Sequence, residues 1–424
     1  MTHTDPKYNA YIQILKEELV PAMGCTEPIA LAYCAAKARE VLGALPDRVV
    51  IGASGSIIKN VKSVIVPNTD HMKGIPAAAV AGIVAGDASR ELEVIAAVDP
   101  EDIPRMSAYL ETTPITVDHV DNGLTFEISV TAYHGDDSAF VRIVNYHTNI
   151  VRIEKDGEIL YNVPVAGESE EGLTDRSSLN IADILDFAET VDVSLIKDVL
   201  DRQIRCNTAI AEEGLRGNYG SNIGSVLLDT YGDSVMVRAK AKPAAGSDAR
   251  MNGCEMPVII NSGSGNQGMT TSLPVIEYAR ELKVSQEKLY RALALANLVT
   301  IHQKTSIGRL SAFCGAVSAG AGAGAGIAYL LGSDLDGISH TVANAIATTG
   351  GIVCDGAKAS CAAKIVAALE GGLMGYEMYK NGFQFFSGDG LVKKGVENTI
   401  DNIARLGSKG MSQTDREILR MMIE

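Results

Sequence analysis

An α+β fold is expected, with a mixed N-terminal α/β domain carrying antiparallel strands (1–170) and a mostly α-helical catalytic domain (171–424). Three observations predict it. Short stretches rich in Val, Ile and Tyr crowd into residues 48–165. From about residue 179 the apolar pattern is helical nearly to the end. Between the two lies Ala166-Gly-Glu-Ser-Glu-Glu-Gly172, a polar linker. A chain of 424 residues is long enough for two or three domains of roughly 150 residues each.

The elements follow in order. Residues 5–20 read as an amphipathic helix with Tyr8, Ile12, Leu15 and Leu19 on one face, ended by Pro21. Gly24-Cys-Thr-Glu-Pro28 is a tight segment in which Thr26 suits an N-cap and Pro28 a first turn, with a helix continuing to Leu42. Strands are expected at Arg48-Val-Val-Ile-Gly52, Lys62-Ser-Val-Ile-Val66, 125–133, 140–146, 149–153 and 159–163, with helices near 76–87 and 100–110. Together these make a largely antiparallel meander, with Asn122-Gly123 and Asp156-Gly157 as hairpin turns. Helices are then expected at 179–189, 194–213, 219–230, 266–283, 286–303, 309–331, 335–349, 358–379, 392–406 and 412–423. Val258-Ile-Ile260 is the main strand candidate among them.

Composition narrows the function. The net charge, 37 minus 52 or −15, argues against a phosphate-binding surface and hence against nucleic acid. No basic run and no secretory signal are visible, so a cytoplasmic protein without a membrane partner is expected. Leu310 to Ser333 carries no charge, but it is mostly Gly, Ala and Ser. A buried central helix fits it better than a membrane span. Seven cysteines in a long chain with no signal argue against a disulfide framework.

The chemistry concentrates between Asn252 and Ala363. Gly263-Ser-Gly-Asn-Gln-Gly268 matches G-x-G-x-x-G, yet no βαβ pattern surrounds it and no acidic strand end follows. Backbone N–H groups at a helix start still suit an anion, a carboxylate as well as a phosphate. The bland alternative is a turn that lets backbones pack closely. Cys314 sits in a Gly/Ala run, and Cys354 and Cys361 lie in Gly351-Ile-Val-Cys-Asp-Gly-Ala-Lys-Ala-Ser-Cys361. Small neighbours let backbone approach a bulky object, read here as an iron–sulfur cluster; buried core cysteines are the alternative. Cys25, at a helix N-terminus beside Glu27, is placed to be a thiolate. Cys34 reads as core filler, Cys206 and Cys254 are undecided, and His71, His147 and His302 rank low.

Taken together, Gly24-Cys-Thr-Glu-Pro28, Asn261-Ser-Gly-Ser-Gly-Asn-Gln-Gly268, Cys314 and the 351–361 segment resemble the L-cysteine desulfidase family, which is related to the iron–sulfur-dependent L-serine dehydratases. The resemblance covers nearly the whole chain. It implies a [4Fe–4S] cluster on Cys314, Cys354 and Cys361 with one iron open, and Cys25 as the catalytic thiol. It also implies that 45–165 is a diverged dehydratase β domain, with His71 and Tyr146-His-Thr-Asn149 in its polar loops. Where those dehydratases carry a Ser-rich segment ending in His-Thr, this chain has Gly24-Cys-Thr-Glu, which tilts the reading toward cysteine as substrate. The expected reaction is α,β-elimination of L-cysteine to sulfide, pyruvate and ammonia, with L-serine dehydration as the alternative. Cys25 would be the base. Glu27, Asn261, Ser262, Ser264, Asn266 and Gln267 are the candidate substrate-binding residues. A lysine Schiff base is kept open only by Lys358. The expected partners are a small amino-acid substrate and a second copy of the chain in a homo-oligomer, a dimer.

Overall fold

The computed structural model describes residues 1–165 and 173–423, so the expected linker and the expected domain boundary within it lie outside the described residues. The chain opens with α1 (Pro6–Glu18), β1 (Pro21–Met23), α2 (Thr26–Leu42), β2 (Arg48–Ser54), α3 (Gly55–Val61), α4 (Gly74–Ala85) and α5 (Asp102–Thr112). Strands β3 (Ile115–Val120), β4 (Glu127–His134), β5 (Asp137–Val144), β6 (Ile150–Lys155) and β7 (Glu158–Asn162) follow. They form one sheet with β2, in the order β3-β2-β4-β5-β6-β7. Helix α2 packs on β4 and β5 and is buried along nearly its whole length. Its Cys34 donates to the Val141 carbonyl and is core filler, as expected.

Three sequence expectations change here. The sheet is largely antiparallel, as expected, but it is not a simple meander: β3, a strand the sequence reading missed, pairs parallel to β2. Asn122-Gly123 is therefore not a hairpin turn, because β2 lies between β3 and β4. The tight turns are Gly135-Asp136, joining β4 to β5, and Asp156-Gly157, whose φ values of 51° and 80° match a two-residue hairpin between β6 and β7. Third, Lys62–Val66 is not a strand. The chain leaves α3 in a turn that buries Val64 and Val66 and keeps only an isolated bridge between Ile65 and Lys73.

The helical half contains α6 (Ile181–Thr190), α7 (Lys197–Arg216), α8 (Ile223–Tyr231), α9 (Val235–Met251), β8 (Pro257–Ile259), α10 (Gly265–Glu281) and α11 (Gln286–Ile307). It closes with α12 (Gly315–Leu330), α13 (Leu335–Thr349), α14 (Ser360–Lys380), α15 (Val396–Arg405) and α16 (Ser412–Ile423). Sequence reading misses α9, because Pro243 and Gly246 interrupt a pattern that is otherwise Ala, Lys and Arg. Helix α12 is the uncharged central helix, packed among α10, α11, α13 and α14. Its glycines meet neighbouring helices rather than a cofactor. A Cβ at Gly320 would lie 2.5 Å from the Ala368 carbonyl oxygen, and one at Gly324 would lie 2.8 Å from that of Gly372. Among the described residues no helix is long and apolar enough to cross a membrane.

One buried charge cluster joins the halves. Glu18, at the end of α1, accepts from Arg176 at 2.8 Å and from Arg309 at 2.7 Å. Burial pushes its pKa up, but the two guanidiniums outweigh burial and hold it below the usual carboxylate value of 4.5. The stability it contributes is therefore full above that pH and is lost as pH falls through it. We expect Glu18→Gln to lower unfolding free energy by roughly 3 kcal/mol at pH 7. Urea titrations at pH 7 and pH 4 should show the gap to wild type narrowing at the lower pH.

Candidate active site

The site is assembled by a clamp between the two ends of the sequence. β1 pairs antiparallel with β8, placing Pro21 opposite Ile259 and Met23 opposite Pro257. This sets the start of α2 beside the glycine-rich start of α10. The buried Arg250 at the end of α9 ties them together, with Nε donating to the Gly24 carbonyl at 2.8 Å, Nη1 to Asn266 Oδ1 at 3.1 Å and Nη2 to Thr26 Oγ1 at 3.2 Å. A planar guanidinium can serve three such acceptors; an ammonium cannot reach them with the same geometry.

A cavity of about 100 Å³ lies beneath the clamp, lined by Cys25, Glu27, Asn60, Arg250, Ser264, Asn266, Gln267, Lys304 and Arg309. Cys314, Cys354 and Cys361 line it as well, with Ala316, Ala357, Phe313 and Ile365 beside them. Cys314 is the N-cap residue of α12, and Cys361 sits in the first turn of α14. Two positive helix ends thus face the thiols. The Cys314 and Cys354 segments are held by a bridge between Phe313 and Val353, with the Cys314 N–H donating to the Ile352 carbonyl at 3.0 Å and the Cys354 N–H to the Ala312 carbonyl at 2.6 Å. Cys361 Sγ reaches the Gly356 carbonyl at 3.6 Å.

Charge around the thiols follows from burial. The Cys314 thiol is pushed up to about 12, first by burial and then by Cys354. Lys304 is buried against the same sulfurs, and burial lowers it to about 8 while Cys354 and Cys314 pull the other way. Lys364 donates to the Val353 carbonyl at 2.9 Å and pairs with Asp355. Lys59, also buried, pairs with Asp415 of α16 and approaches the Cys354 carbonyl at 3.4 Å. Lys358 is paired with Asp355 at 2.7 Å and does not line the cavity.

Cys25 is the N-cap residue of α2, one position ahead of the expected cap at Thr26. Its sulfur donates to Glu27 Oε2 at 3.2 Å. The expectation of a ready thiolate fails: burial and then the Glu27 carboxylate raise the thiol well above its usual value, despite Arg250 nearby. Cys25 is a neutral thiol handing its proton toward a carboxylate. Glu27 in turn accepts from Asn60 Nδ2 at 3.1 Å.

The expected substrate residues divide. Glu27, Ser264, Asn266 and Gln267 line the cavity. Asn261 and Ser262 do not. The Asn261 amide donates to Asn297 Oδ1 at 2.9 Å, and the Ser262 hydroxyl donates to Asn261 Oδ1 at 2.9 Å, so both brace the loop from behind. Cys254, also weighed for the site, is buried beside Tyr219 away from the cavity.

A family model described as serine dehydratase alpha chain matches residues 89–420, most of the chain. The chain belongs to the serine dehydratase alpha-chain family. Membership places it among lyase-type enzymes. It is 58% identical to a UPF0597 protein of Desulfitobacterium hafniense over all of this chain and 98% of that one. It is 52% identical to a UPF0597 protein of Lachnoclostridium phytofermentans over 98% of this chain and 100% of that one, and 47% identical to a UPF0597 protein of Treponema denticola over 99% and 98%. Cys25, Glu27 and Asn60 lie ahead of the stretch that matches the serine dehydratase alpha-chain model, while the rest of the cavity lining lies within it.

In this serine dehydratase-like chain the glycine motif is a packing device. A Cβ at Gly268 would lie 2.0 Å from the Ile259 carbonyl oxygen, and one at Gly265 would lie 2.5 Å from Arg250 Nε. Among the described residues β8 pairs with β1 alone, so the motif does not follow a strand of a βαβ sheet as a dinucleotide site requires. Residues that sequence reading missed are Asn60, Arg250, Lys304 and Arg309. Arg250 ends an unpredicted helix, and the other three carry no local signal. We expect Arg250→Lys to lower stability by roughly 2–4 kcal/mol and to depress activity, because a compact ammonium leaves the Gly24 carbonyl or Asn266 unserved. Calorimetric unfolding of the variant against wild type checks it.

Proposed function

We propose that the protein is an L-cysteine desulfidase, releasing sulfide, pyruvate and ammonia by α,β-elimination. The observation that carries the reading is that the Cys25–Glu27 pair and Cys314, Cys354 and Cys361 line one small cavity. The apolar wall of Ala316, Ala357, Phe313 and Ile365 near the thiols favours a thiol leaving group. A buried hydroxyl would ask for hydrogen-bond partners there.

The donor set suits a [4Fe–4S] cluster on Cys314, Cys354 and Cys361. Among the described residues no three His, Cys, Asp or Glu converge closely enough to hold a single ion. A cluster presents a separate iron to each thiolate and does not require that convergence. Lys304, Lys364 and the two helix N-termini offset the negative charge of three thiolates. When bound, the cluster supplies a Lewis-acidic iron for the departing sulfur.

The chain's own residues do the rest. Glu27 takes the Cys25 proton through their hydrogen bond, and the Cys25 thiolate then removes the substrate Cα proton. The electron pair forms the Cα=Cβ bond as the C–S bond breaks and hydrosulfide leaves. The resulting aminoacrylate tautomerises to an imine, which water converts to pyruvate and ammonia. Ser264, Asn266 and the N-terminus of α10 receive the substrate carboxylate, helped by the Arg309 charge. L-serine is the second reading, favoured by the description of the family model.

The test is anaerobic reconstitution with iron and sulfide, removal of excess sulfide, then assay with L-cysteine and with L-serine. Sulfide with pyruvate from cysteine supports the desulfidase; pyruvate from serine alone moves the protein to the dehydratases. Each of Cys314→Ala, Cys354→Ala and Cys361→Ala should abolish the visible absorption of the reconstituted cluster. Cys34→Ala should retain it. Cys25→Ala should keep the absorption and lower kcat by roughly 100-fold or more, the range expected of a positioned proton-transfer group.

A further inference from the structure

Two residues of the cavity wall carry buried acceptors without donors. Asn60 and Gln267 are 6% and 5% exposed, and both line the cavity. Among the described residues nothing donates to Asn60 Oδ1 or to Gln267 Oε1. A buried carbonyl without a donor costs about 1–3 kcal/mol, so two at one small site are a structural anomaly that a ligand would relieve.

The Asn60 amide is oriented by its neighbour. Its Nδ2 donates to Glu27 Oε1 at 3.1 Å. The flipped amide would set a carbonyl oxygen against that carboxylate, which is repulsive, so Oδ1 is the face left for another donor. Gln267 is wedged by the start of α12: a Cβ at Gly315 would lie 2.5 Å from the Gln267 amide carbon. Gly315 follows Cys314 directly, so the amide is held against the backbone that carries the first of the three thiols. Glu27 completes the group as a third acceptor beside Asn60.

We propose that Asn60, Gln267 and Glu27 form the seat for the α-ammonium of the substrate. An ammonium brings three N–H donors and a positive charge; the two amide oxygens accept from it, and the Glu27 carboxylate offsets its charge until it takes the Cys25 proton. The carboxylate end of the ligand is then left for Ser264 and Asn266, which precede Gln267 at the start of α10. This seat also brings the Cα–H near Cys25, because Glu27 binds both the Cys25 thiol and the Asn60 amide. The assignment rests on the proposed amino-acid elimination and names the residues that make the site select α-amino acids over acids lacking the amino group.

The experiment compares L-cysteine with 3-mercaptopropionate, which is cysteine without its ammonium. On the reconstituted wild-type enzyme, KM for L-cysteine is measured along with Ki for 3-mercaptopropionate, and calorimetry follows binding of L-alanine and of propionate, neither of which has a leaving group. Asn60→Leu and Gln267→Leu are then examined in the same way, with Gln267→Glu as a variant that keeps the acceptor. The expected result is a 10- to 100-fold rise in KM for L-cysteine and a matching loss of L-alanine binding in both leucine variants. Ki for 3-mercaptopropionate should stay within about twofold, and Gln267→Glu should retain the preference for the amino acid. Parallel weakening of both ligands, or no change in either, overturns the seat while leaving the desulfidase intact. A wild-type enzyme with a cluster but no product from cysteine or serine refutes the elimination itself, and the seat falls with it.

Discussion

The site depends on one buried guanidinium. Arg250 binds the carbonyl of Gly24, the hydroxyl of Thr26 and the amide of Asn266, groups that belong to two helix starts far apart in sequence. Beside it, the β1–β8 ribbon supplies direction and register. Neither element is large. A three-residue pair of strands is marginal on its own, and a buried charge is unfavourable unless its donors are satisfied. Together they hold because the core closes over both, and because Gly265 lets the guanidinium lie against the loop where any Cβ would intrude. Without this clamp, Cys25 and Gln267 have no reason to share a cavity.

A second constraint concerns protonation. A helix N-terminus lowers a thiol pKa by fractions of a unit to a few units, while burial beside a carboxylate raises it. At Cys25 burial wins, since the residue is 3% exposed and Glu27 is within hydrogen-bond reach. The outcome is chemically useful. In the proposed reaction a thiol paired with a carboxylate holds its proton until substrate arrives and passes it toward Glu27 when a base is needed. Burial raises Cys314 and Cys361 as well, but these two stand at helix starts, and Lys304 and Lys364 lie close to the thiols. Those cations oppose the effect of burial and favour deprotonated sulfur, which the proposed metal ligation requires.

The small residues of α12 illustrate how one signal carries two causes. Its Gly/Ala run resembles a cradle for a bulky group, but most of its glycines serve helix contact: Gly320 and Gly324 let α14 approach, and Gly322 meets Ala296 and Thr300 of α11. Only Gly315 at the start of the helix touches a residue of the cavity, Gln267. Close packing of this central helix is what fixes the position of Cys314 at its N-terminus, so the run serves the site indirectly.

The sequence by itself determined most of the elements and their order, because side-chain periodicity and caps are local; the short β1, the edge strand β3 and the Pro-interrupted α9 escaped it. The α13 and α16 bounds match the pattern closely, and the Gly/Ala run is legible as a buried helix. It also determined the chemistry on offer, since Cys25, Cys314, Cys354 and Cys361 stand out by their neighbours. What it left open was which side chains meet. Whether Asn261 faces the ligand or the core depends on Asn297, which lies on another helix. The meeting of Asn60 with Glu27, the burial of Lys304 and the reach of Arg250 across the ribbon involve partners separated by tens to hundreds of residues. The protonation of Cys25 belongs to the same group. It is set by desolvation, which exists only once the chain has closed around the thiol.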